Sequence, residues 1–131
     1  MSSRNPAQVR VQLLVWWVMW FSLISGLCIL YYFLARPVPV ENQAAATVFD
    51  FIGLAPLLVS VVIRWFVLPR CTNLQVAFVA FIAGISMAEA CGIFAVFLGA
   101  AYRDEMFVLS VLGIAQFVPF YARRFATART A

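Results

Sequence analysis

The sequence predicts an all-α polytopic membrane protein: four transmembrane helices forming one domain over residues 1–131, with both termini cytoplasmic. Three observations carry that expectation. Hydrophobic residues make up 66% of the chain and charged residues only 11%, with a mean hydropathy of +1.00. A soluble domain of this size has too little interior to hide so much apolar surface, so lipid must solvate part of it. The apolar residues fall into four runs parted by short polar or Pro-containing segments. The cationic residues are all Arg and flank those runs instead of forming a soluble basic face, which argues for membrane topology over nucleic-acid binding.

Span one is predicted at about residues 11–34. Its apolar run is too long for a signal-peptide core, so it reads as a retained span. Trp16, Trp17 and Trp20 near one end and Tyr31 and Tyr32 near the other suit an interfacial aromatic belt. The segment Arg36 to Gln43 contains two prolines and reads as a loop, with Asn42 placed to cap the next helix.

Span two covers about residues 44–68. Asp50 lies roughly two turns inside it, shallow enough for water or headgroups to reach. Pro56 removes a backbone donor and is expected to bend the helix in mid-course. Arg64 has a stem long enough to snorkel to the interface, and Pro69 and Arg70 stop the helix.

Span three, about residues 74–99, organises the chain. Ala80, Gly84, Ala88 and Gly92 recur every fourth residue, a stripe along which another helix backbone can approach closely. Beside the stripe stands Glu89, with Ser86 and Gly92 three residues to either side, and it is expected to face protein. Glu89 lies about 22 Å along the helix from Leu74, somewhat past the bilayer midplane. Burial disfavours a charged carboxyl, so the acid is expected to be protonated unless a cation reaches it.

Asp104 is predicted to cap the last helix, with Glu105 in its first turn. Span four covers about residues 106–121 and contains Gln116, read as an interhelical hydrogen-bonding residue, and Pro119. With the N-terminus inside, Arg4, Arg10, Arg64, Arg70, Arg123, Arg124 and Arg129 fall at cytoplasmic ends, and Arg36 and Arg103 outside. That bias places the protein in the inner, cytoplasmic membrane as a multi-pass chain.

The segment Met87 to Val96, MAEACGIFAV, resembles the ion-binding helix of the rotary ATP synthase subunit c (proteolipid) family: a carboxylate, a small residue, then Ile and Phe four and five positions on. The likeness covers about Arg70 to Gly99, including the Arg- and Pro-containing turn before the helix. It implies that Glu89 is an ion-binding carboxylate and that the chain assembles into oligomers.

Two functional readings follow. In one, the chain is a small subunit of a larger membrane complex or homo-oligomer, packing through its helices with Glu89 as a buried protonatable hydrogen-bonding group. In the other, it is a proteolipid-like protein that handles protons or ions through Glu89, with Asp50 and Gln116 lining the path. An enzyme is not expected, for the sequence has no nucleophile–base pair and no redox motif. Histidine is absent, and Cys28, Cys71 and Cys91 lack metal-site spacing, so neither a metal nor a cofactor is expected. The expected partners are the lipid bilayer and other membrane subunits or further copies of the chain, and no nucleic acid.

Overall fold

Among the described residues, two helices are long and apolar enough to cross a bilayer unaided. The structure, a computed structural model, describes residues 6–35, 52–98 and 102–122. Helix α1 spans Pro6–Leu34 and α3 spans Leu74–Leu98. At 1.5 Å per residue they measure roughly 43 and 38 Å, against about 30 Å of hydrocarbon. Between them lies α2, Leu54–Val62, which runs into a π-helical segment, Ile63–Val67, and a 3-10 turn, Leu68–Arg70. Helix α4, Arg103–Ala115, is followed by a short 3-10 helix, Pro119–Ala122. No strand occurs among the described residues. Asp50, Asn42, Arg4, Arg36, Arg123, Arg124 and Arg129 lie outside the described residues.

Helix α3 is the centre, and α1, α2 and α4 all pack on it. Its inner face is Ala77, Phe81, Gly84, Ile85, Ala88, Cys91, Gly92 and Ala95, all buried. Contacts fix the directions. The Trp16 ring packs, tilted, against Phe81 at 4.4 Å between centroids and against Phe78 at 5.4 Å, while Leu27 reaches Gly92, so α1 and α3 run parallel. Gly53 lies against Phe94 and Ile63 against Gly84, so α2 runs antiparallel to α3. Helix α4 is also antiparallel to α3, with Phe117 at Gly84, Gly113 at Ala88 and Met106 at Cys91.

Small residues let these helices meet at backbone distance. A Cβ on Gly92 would stand 2.7 Å from both Leu27 Cδ1 and Ser110 Oγ. A Cβ on Gly113 would meet Leu57 Cδ1 at 2.6 Å, and one on Gly84 would collide with the Phe117 ring. In that close seam Ser110 Oγ donates to the Ala88 carbonyl at 2.6 Å, a contact possible only where the two backbones come close.

Several expectations change. Trp16 and Trp20 turn inward instead of forming an outer belt: Trp16 is core, and Trp20 Nε1 donates to the Ile114 carbonyl at 3.0 Å. A buried indole seeks an acceptor for its N–H, and α4 offers one. Pro56 occupies the first turn of α2 and not its middle, a place where the missing N–H has no helical partner to lose. Asp104 does not cap α4. Tyr102 holds the cap position without a side-chain capping bond, and Asp104 sits in the first turn accepting from Tyr31. Span four is not one helix to residue 121, because α4 ends at Ala115. Pro119 has no N–H for the Ala115 carbonyl and disfavours helical geometry at Val118. The start of α3 carries a cap that the sequence reading passed over: Asn73 Oδ1 accepts from the Gln75 N–H at 2.9 Å.

Candidate functional site

The broken end of α4 and the outer flank of α3 hold the polar groups of the helix interiors. At the break, carbonyls that would have served the next turn are left open. The Ile114 carbonyl accepts from the Phe117 N–H at 3.0 Å and also from Trp20 Nε1, and the Gln116 carbonyl accepts from Arg64 Nε at 2.6 Å. Val118 N–H turns back to the Ala115 carbonyl at 3.1 Å in 3-10 fashion. In an apolar surround an interrupted helix persists only when neighbours satisfy such groups. Here α1 supplies an indole and the π-helical turn supplies a guanidinium, which also lies 5.8 Å over the Trp65 ring.

Gln116 therefore works through its main chain. Its side-chain Nε2 is buried without a hydrogen-bond partner, as is Ser60 Oγ one turn before Arg64 on α2. Helices α2 and α4 meet on this side, with Leu57 against Gly113 and Arg64 against Gln116.

Glu89 lies on the other side of α3. Phe78 and Glu89 are eleven residues apart, about three turns, and so share a flank, the one that faces α1 through Trp16. Glu89 is half-buried and Ser86 is exposed, whereas Gly92 is buried against Leu27 and Ser110. The acid thus stands at the shoulder of the buried face, between protein and surroundings. Among the described residues its carboxyl makes no hydrogen bond and no ion pair. A cavity of about 300 Å³ opens lower on the same flank, lined by Gln12, Val15 and Trp16 of α1 and Leu74, Gln75 and Phe78 of α3.

Of the residues singled out from sequence, Gly84, Ala88 and Gly92 lie in the buried seam and Ala80 at its half-buried edge. Glu89 and Gln116 are on opposite sides of α3, facing α1 and α2 respectively, so the structure does not bring them into one site. Ser110 and Gly113 were missed, while Trp20 and Arg64, read as a belt residue and a snorkelling cation, instead donate to the Ile114 and Gln116 carbonyls. The spacing Met106, Ser110, Gly113, Phe117 is a helical face with two small members, and it carried the signal for the α4 side of the seam. No group of three or more His, Cys, Asp or Glu that could hold a metal occurs among the described residues. Comparison with known proteins finds no matching family model, no matching curated protein and no matching solved structure.

Proposed function

We propose that this chain is a four-span inner-membrane protein with both termini cytoplasmic, acting as a non-enzymatic subunit of a larger membrane assembly or homo-oligomer. The observation that carries this reading is Glu89: a half-buried acid without a hydrogen-bond partner on the outer flank of an otherwise apolar helix. A carboxyl at that depth is costly in lipid, and a neighbouring chain offering donors removes the cost. The outward surfaces of α1, α2 and α3 are otherwise rich in large apolar side chains, among them Leu14, Phe21, Leu58 and Val79, as lipid or apposed helices require. The test is the mass of the protein extracted in native lipid. An assembly heavier than one protomer is expected, and a lone protomer would overturn the reading.

A second reading, proton or ion handling through Glu89, is favoured by the position of that ionisable group, half-buried at the shoulder of the α3 core face. Glu89→Gln keeps the shape and removes the ionisable group. Under this reading that variant assembles normally in liposomes but carries no flux, and normal flux would exclude it.

A further inference from the structure

The turn between α2 and α3 holds a cavity of its own. About 360 Å³ in volume, it is walled by Phe66, Val67 and Arg70 before the turn and by Thr72, Asn73 and Val76 after it. All six residues are exposed. The polar walls offer donors and positive charge. Asn73 Oδ1 is already taken by the Gln75 N–H, which leaves the Asn73 side chain its NH2 group to donate. Arg70 and Thr72 make no side-chain hydrogen bond or ion pair among the described residues. Charge around the turn is one-sided, for no acid occurs in the sequence between Asp50 and Glu89. Glu89 itself stands about 20 Å along α3 from Val76. Asp104 and Glu105 are further away still, at the start of the helix whose Met106 meets Cys91. The apolar walls lead away from the turn along both helices, Phe66 to Val62 and Val76 to Val79, about one turn each, and all four side chains are exposed.

From this we propose that the cavity seats an anionic phospholipid of the cytoplasmic leaflet. Arg70, Thr72 and the Asn73 amide donate to its phosphate, and its acyl chains lie along Phe66, Val76 and the valines beyond them. The proposal rests on the membrane reading above, which puts this turn at the cytoplasmic face, where anionic lipids attract basic residues. A planar guanidinium can donate to two phosphate oxygens at once. A free phosphate would gain nothing from the apolar walls, and a zwitterionic lipid brings a cation of its own toward Arg70. The cavity at Gln12 and Gln75 has no charged wall, so it carries no such preference.

The experiment titrates the full chain, in an uncharged detergent, with phosphatidylglycerol or with phosphatidylcholine of the same acyl chains, and reads bound lipid by native mass spectrometry. Phosphatidylglycerol is expected to be retained in preference to phosphatidylcholine. Arg70→Gln should lower that retention about fivefold, the effect of one basic residue at an anionic surface, whereas Arg70→Lys keeps the charge and the preference. Arg10→Gln removes the same charge from the same end of the bundle but outside the cavity, and should leave retention unchanged. Inorganic phosphate in large excess should not displace the lipid. Equal retention of the two lipids, or an equal loss in Arg10→Gln, would overturn the site. Displacement by inorganic phosphate would also overturn it and assign the cavity to the free ion. A lone protomer that still prefers phosphatidylglycerol would uphold the lipid site and remove only the subunit reading, while a chain recovered in the soluble fraction would remove both.

Discussion

The two halves of this bundle solve the problem of polar groups in an apolar setting in opposite ways. Helices α1 and α3 are unbroken, so their interior backbone groups are served within each helix. What they leave without a partner is a side chain, Glu89. Helices α2 and α4 are interrupted by a π-turn and by a break before Pro119. There the backbone carbonyls of Ile114 and Gln116 are served by side chains, Trp20 and Arg64. The difference teaches where to look for function. Irregular backbone in the α2–α4 half is closed off within the protomer, and the polar side-chain atoms left without partners there, Ser60 Oγ and Gln116 Nε2, are buried inside it. The regular half keeps its need outward, and an outward need is what a partner or an ion can meet.

The glycines separate the inner face of the regular half from its outer flank. Gly92→Leu places a side chain where Leu27 and Ser110 already stand at 2.7 Å, and it should cost about 3 kcal/mol or more. Gly26→Leu faces open space and should stabilise the protomer by about 0.5–1 kcal/mol through helix propensity. Thermal unfolding of both variants in detergent checks this. Equal losses would mean that α1 is covered on both sides within one protomer, and the distinction between faces would collapse.

In the irregular half the larger effect belongs to the guanidinium. Arg64→Met keeps much of the stem but leaves the Gln116 carbonyl without its donor, a charged hydrogen bond worth about 1.5–3 kcal/mol. Trp20→Phe keeps an aromatic ring and loses one neutral bond to Ile114, for about 1 kcal/mol. Both should accelerate amide exchange around the break after Ala115 and leave α3 protected. Faster exchange spread evenly over all the helices would show that the clamps hold the whole bundle and not its broken end.

Much of this was legible in the residues. Hydropathy marked α1 and α3, whose apolar runs are long and uninterrupted, and the four-residue spacing marked the small seam of α3. Pro119 signalled trouble in the last helix, but not where the chain would turn, because that depends on Arg64 and Trp20 arriving from other helices. Pro56 could not be placed, since its effect depends on where α2 begins. Trp16, Trp17 and Trp20 read as an interfacial belt because amphipathic rings cluster near helix ends. Only packing against Phe78, Phe81 and Ile114 turns Trp16 and Trp20 inward. Asp104 had the chemistry of a cap, yet the helix starts one residue ahead of it and Tyr31 claims its oxygen.

That last contact joins the two halves and gives the smallest effect. Tyr31 Oη donates to Asp104 Oδ1 at 2.6 Å, with Arg103 Nε at 3.4 Å, and the Tyr31 ring stacks on Phe107 at 3.9 Å. The tyrosine hydrogen bond, assisted by Arg103, holds the Asp104 carboxyl below its ordinary value against a small opposing effect of burial. A depressed carboxylate contributes stability above its unfolded value, about 3.9, and loses it as pH falls through the lower folded value. The contribution is therefore present at neutral pH and disappears in acid below about pH 4. Asp104 is exposed over 69% of its side chain, so solvent screening holds the effect to a few tenths of a kcal/mol, about the level of a surface pair. Tyr31→Phe keeps the stack and removes the hydroxyl, so the acid limb of the melting temperature should flatten. An unchanged acid limb in that variant would assign it to other carboxyls and leave α1 tied to α4 by ring packing alone.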